Sequence, residues 1–142
     1  MKFKEQAIII TTIIAIFLLL APIVFMFITP IPMLITQQKL MIDFLIPLEV
    51  FPIVFTGAVL LTLISCKTNI YKRKVCTLVI LMIVMFFGGQ YLAVVTGIAD
   101  GSASAAGWAF IVVVLSTIAY DVLAFITGIY GLRIYKLLKV TT

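Results

Sequence analysis

The sequence has no histidine, one tryptophan, two cysteines, and five acidic residues against ten basic ones. Without histidine it lacks the commonest general base and the commonest metal ligand. Ser-His-Asp and Cys-His catalysis, the zinc-protease helix motif and the usual haem ligation are excluded with it. The few carboxylates leave little for acid–base chemistry, and no two acidic or nucleophilic groups converge with a base. A membrane enzyme therefore ranks third among the functional readings, and no cofactor or metal is expected. Charge is scarce as a whole: 11% of 142 residues, with 65% hydrophobic, where a soluble domain has roughly a quarter charged and half apolar. An ordinary soluble domain is thus excluded, and the length holds one domain.

The net charge of +5 does not point to nucleic acid, because the basic residues sit beside apolar runs instead of along a face. They read as a membrane topology signal. Cys66 and Cys76 flank one basic loop, Lys67 to Lys74 (KTNIYKRK). On the cytoplasmic side thiols stay reduced, so both read as small buried hydrophobes, with a disulfide or redox pair as the lesser alternative.

What the chain does have is four apolar runs of membrane-spanning length, for which roughly 20 residues suffice. The spans fall at about 7–29, 48–66, 75–98 and 105–132. The first follows Lys2 and Lys4; it is too long for a signal-peptide core and has no clear small-x-small cleavage site, so it reads as an uncleaved helix. Pro22 is expected to kink it and free a carbonyl one turn earlier. Between the first two spans, Pro30 and Pro32 end the helix, and Gln37, Gln38, Lys39 and Asp43 are too polar for lipid. Met33, Leu34, Leu40, Met41, Phe44 and Leu45 could share one side of a short interfacial helix; a loop over the helix ends is the equal alternative. Leu63 to Cys66 resembles a lipoprotein cleavage box, but after an earlier span this is coincidence. The DGSAS turn at 100–104 makes the last two spans antiparallel neighbours. Gly89 would let them approach closely, and the Gly88-Gly89 pair reads as a helix crossing or kink, with a gating hinge as the alternative.

With both termini and the middle loop inside, Lys2, Lys4, Lys67, Lys72, Arg73, Lys74, Arg133, Lys136 and Lys139 are cytoplasmic, and only Lys39 is outside. The positive-inside rule selects this orientation. The expected fold is an all-α integral membrane protein: a four-transmembrane-helix bundle with both termini cytoplasmic and a short interfacial helix or loop between helices 1 and 2. No internal repeat of the kind transporters use is visible.

The fourth run carries the polar residue of most interest. Asp121 lies twelve residues before Arg133, about 18 Å along a helix and so near mid-bilayer. A charge there costs on the order of 3 kcal/mol or more, so the group faces protein or water. Thr117, Asp121, Ala124, Gly128 and Gly131 share one face, and small residues there let a neighbouring backbone come close. Counting in from the basic loop puts Thr56 and Gly57 at about the depth of Asp121. Gln90 is sixteen residues from Lys74, about 24 Å and a turn farther out. Asp121, Thr117, Thr56 and Gln90 thus form a candidate intramembrane polar site. Three roles compete: a protonated carboxyl bonding helices together, a proton or cation site, and a charge pair with a partner's Lys or Arg. Glu49, about 27 Å up from Lys67, is a candidate outer-mouth acid, with an ordinary interfacial role as the simpler reading. Lys72, Arg73 and Lys74 would meet lipid headgroups or merely set topology.

No family motif is present. The order of spans and basic loop resembles that of small phage-exclusion membrane proteins, in length and arrangement alone, a likeness that implies ion conduction and transfers no residues. The abundance of Ile, Phe and Lys suits an AT-rich bacterial or phage genome, hence a multi-pass protein of a bacterial plasma membrane. Two functions are expected to compete. One is a non-enzymatic subunit, immunity factor or regulator that packs against another membrane protein. The other is an oligomeric ion or proton channel or transporter, built from copies of the chain, with Asp121 as its intramembrane polar site. The lipid bilayer is the shared partner, and nucleic acid is not one.

Overall fold

A computed structural model of the chain describes residues 2–28, 50–98 and 107–141. All the regular structure among them is helical: α1 (Lys2–Ile28), α2 (Phe51–Thr68), α3 (Lys72–Val95) and α4 (Trp108–Thr141). Each helix is long and apolar enough to cross a membrane. The segment read as an interfacial helix or loop, with Asp43 and Glu49, lies outside the described residues, as does the 99–106 connection.

The helix ends follow from local chemistry. α1 runs on through Pro22, whose missing N–H leaves the Leu18 carbonyl without its usual intrahelical donor. α2 has Pro52 in its first turn, where a missing N–H costs nothing. It stops at Asn69, which takes the left-handed conformation at φ 56°, a state Asn tolerates better than most residues. Tyr71 is left-handed as well, at φ 52°. Between them Ser65, fully buried, donates its hydroxyl to the Ile70 carbonyl at 2.5 Å. α3 ends at Thr96 and Gly97: Gly97 has φ 72°, its N–H reaches Val94 O at 3.2 Å, and Ile98 N–H reaches Ala93 O at 3.0 Å. This pair of bonds is the Schellman arrangement, which satisfies carbonyls the helix would leave open.

The Ser65 bond carries a prediction. Ser65→Ala removes the donor of the Ile70 carbonyl in a part-buried turn and should lower stability by about 1 kcal/mol. Asn69→Gly, which keeps the left-handed residue, should leave stability within a few tenths. SDS titration of the folded protein in mixed micelles checks both, and equal losses for the two variants would remove the argument.

α1 packs against α2 and α4, α3 packs against α4 and more lightly against α2, and α2 touches α4 least. The helices therefore form a ring in chain order. Inside it lie Leu19, Ala58, Leu61, Val75, Met82, Ala124 and Ile134, all fully buried. Ile10, Phe17, Ile80, Val84, Val94, Ile111 and Leu115 point outward and are more than half exposed, a surface water would not tolerate but lipid does. Since lipid is as apolar as the core, the helices are held by close packing and not by burial of apolar area. Glycines supply that closeness. Gly57 seats α2 against Ala15, Leu18 and Leu19 of α1, and Gly131 seats α4 against Ile16 and Leu61. Gly128 meets the Leu20 side chain, and Gly89 meets Ser116, while Gly88 faces open space.

α4 extends well past the expected end near residue 132. Ile134 is fully buried and Leu138 packs against the core. Spaced four apart, they continue the inward stripe, so the helix carries Arg133, Lys136 and Lys139 outward while still packed on the bundle. α3 likewise starts at Lys72, three residues before the expected 75: its basic residues form the first turn instead of preceding the helix.

Candidate functional site

Asp121 sits half-buried in the middle of α4, one residue after Tyr120, which is 7% exposed. The site is defined by what surrounds Tyr120. Phe51, the first residue of α2, stacks on Phe86 of α3 with ring centroids 3.8 Å apart. Tyr120 completes the group, 5.3 Å from Phe86 and 6.2 Å from Phe51. Aromatic contacts, here one stacked and two tilted pairs, contribute about 0.5–1.5 kcal/mol each beyond area burial. They bring the start of α2 against the middle of α4.

Two polar atoms are left over in this apolar setting. Tyr120 Oη and Asp121 Oδ1 are buried, and neither has a hydrogen-bond partner among the described residues. Arg133, the first basic residue after Asp121 on α4, lies three turns away, about 18 Å. Buried polar groups without partners are rare and costly.

The other predicted members of the site do not supply the missing bond. Thr117 lies one turn before Asp121, half-buried, and donates to Val113 O at 3.0 Å. Thr56 is exposed and donates to Pro52 O at 2.7 Å. Gln90 is half-buried. The same habit holds for Thr11, Thr12, Thr62, Thr68, Thr96, Ser116 and Thr127, each donating to the carbonyl four residues earlier. Hydroxyls so engaged satisfy themselves on their own helix and offer no donor to a neighbour. The small residues on the Asp121 face are used within the chain: Ala124 is fully buried, and Gly128 and Gly131 lie against α1. Glu49 is outside the described residues. Among those described, no three His, Cys, Asp or Glu side chains group as metal ligands would.

Sequence reasoning passed over Tyr120 and Phe51. The available signal was a Tyr beside a mid-span acid, since a buried Tyr hydroxyl normally finds a partner.

A second cluster joins the α2–α3 turn to α4. Tyr71 meets Tyr130 edge-on at 5.3 Å, Lys74 Nζ lies 5.8 Å from the Tyr71 ring and 5.9 Å from the Tyr130 ring, and Arg133 lies 5.6 Å from the latter. These cation–π contacts hold basic groups at one end of the bundle. Lys72, Arg73 and Lys74, all exposed, line a shallow depression there with Asn69 and Tyr71. No family model, curated protein or solved structure matches the chain.

Proposed function

We propose that this chain is a non-enzymatic subunit, immunity factor or regulator that packs against another membrane protein in a bacterial plasma membrane, with both termini and the Lys67–Lys74 turn in the cytoplasm. The observation that carries the reading is Asp121 at mid-span, half-buried, with one carboxylate oxygen that, like the neighbouring Tyr120 hydroxyl, has no hydrogen-bond partner among the described residues. Asp121 as a residue is only half-buried, and a carboxylate so placed is completed, from its partly exposed side, by a donor from another helix, such as a partner's Lys, Arg, Asn or Ser. The orientation rests on the nine basic residues that the positive-inside rule gathers on one side. The basic end, with Lys72, Arg73 and Lys74, then faces anionic headgroups.

A second reading draws on the same carboxylate: a proton or ion site in an oligomer of this chain. Against it, ten described Thr and Ser hydroxyls are folded back onto their own helices or the α2–α3 turn, so they build no polar file along the span.

Recovery from membranes in mild detergent separates the two. The partner reading expects a second membrane protein in fixed ratio; recovery of this chain alone counts against it. The channel reading expects proton or cation flux from the pure protein in liposomes, lost in Asp121→Asn. An absence of flux in both proteins removes it.

A further inference from the structure

Cys66 lies in the last turn of α2 and Cys76 in the second turn of α3. The hairpin brings their sulfurs to 4.0 Å. Both are free thiols and both are half-buried. Their approach is set by the turn described above: left-handed Asn69 and Tyr71 reverse the chain, Ser65 clamps it to Ile70, and Val75 N–H returns to Tyr71 O at 3.0 Å. The gap to a disulfide bond of about 2.05 Å is on the scale of a side-chain rotation. The neighbouring Lys67 and Lys72 side chains are exposed, so the pair sits at the water-facing end of its helices, within reach of soluble thiol reagents.

We propose that Cys66 and Cys76 form a reversible dithiol–disulfide pair, a modification site for low-molecular-weight disulfides such as oxidised glutathione. In the first step one cysteine thiolate attacks a sulfur of the glutathione disulfide. Its S–S bond breaks, one glutathione thiolate leaves, and a mixed disulfide remains on the protein. The second cysteine, as thiolate, attacks the protein sulfur of that mixed disulfide and expels the other glutathione. One S–S bond has been exchanged for another, the two electrons leave on two glutathione thiols, and the two protein protons end on those thiols. The new bond ties α2 to α3 across the turn that presents Tyr71, Lys72, Arg73 and Lys74. This site does not depend on the function proposed above. Orientation decides only its resting state, reduced if the turn faces the cytoplasm and closed if it faces an oxidising compartment.

The test uses the full chain in mild detergent, equilibrated at pH 8.5 with mixtures of reduced and oxidised glutathione. Samples are quenched with acid, alkylated, and read by intact mass and non-reducing electrophoresis. The expected product is a monomer lighter by two hydrogen atoms, with both thiols lost together and recovered on reduction. Cys66→Ser should instead carry one glutathione on Cys76 and never give the lighter species. Three results would each overturn the proposal: both thiols still alkylatable at the most oxidising ratio, glutathione stably attached to both, or a disulfide-linked dimer as the main product.

Discussion

Gly57→Val should destabilise the bundle by about 3 kcal/mol, near the top of the range for overpacked sites. A Cβ at Gly57 would lie 2.9 Å from the Ala15 carbonyl oxygen, 3.0 Å from Leu18 Cβ and 3.1 Å from Leu19 Cγ. The first two cannot rotate away, because one is backbone and the other is the root of its side chain. α1 must therefore move as a unit, and with it goes the close packing on which helix association in lipid depends. Even Gly57→Ala requires a shift, so it should lose part of the same amount. Gly128→Ala is expected to cost less, since what it meets is the end of the Leu20 side chain, which has other rotamers. Gly88→Ala is the control: nothing lies within 4 Å of its Cβ, and Ala is the better helix former by about 1 kcal/mol. Its stability should hold or rise. SDS titration in mixed micelles, followed by circular dichroism, ranks the four. A Gly57→Val protein as stable as wild type would show that α1 and α2 do not meet at this point.

The partner of a small residue such as Gly57 is not legible in the sequence, although the spans are. Four apolar runs separated by proline, polar and basic residues are plain in the one-dimensional pattern, because chain length and solvent fix them. Which helix a small residue faces is not. Gly88 and Gly89 differ by one step of about 100° around the helix, and only one of them meets α4. The spacing of Ala124, Gly128 and Gly131 marks a face without naming α1 as what covers it. The far end of α4 was hidden because its basic residues look like a boundary, while the Ile134 and Leu138 stripe that keeps it helical is visible only beside the core. Depth counting had the same weakness. It treats helices as parallel rods measured from one plane, and it cannot choose between a hydroxyl that reaches across to a neighbour and one that turns back to its own carbonyl. Thr56 and Thr117 both turn back, a local option that competes with every tertiary one. Tyr120 escaped notice because an aromatic residue in an apolar run looks ordinary until its hydroxyl is found buried.

Asp121→Leu should have opposite effects on the lone chain and on its assembly. In the isolated protein the substitution removes a buried oxygen that has no partner among the described residues and puts an apolar group of similar size in its place. Relief of an unsatisfied group is worth about 1–3 kcal/mol, so stability in detergent should hold or rise. In the assembly the same change deletes the acceptor for the partner's donor. A hydrogen bond to a charged group contributes about 1.5–3 kcal/mol net, which corresponds to association roughly 10- to 150-fold weaker. Asp121→Asn keeps the shape and one acceptor oxygen and should fall between. Tyr120→Phe, which removes only the orphaned hydroxyl, should be neutral for the lone chain; any loss of association would mean that the partner bonds both atoms. The measurements are denaturation of the purified chain and quantitative recovery of the partner from membranes. If Asp121→Leu weakens the isolated protein by several kcal/mol, its donor belongs to the chain itself and the carboxylate is an internal tie between helices. If stability rises while association is untouched, the interface lies elsewhere on the bundle. Only the split outcome, a steadier monomer and a weaker complex, is what a carboxylate completed by another protein's side chain requires.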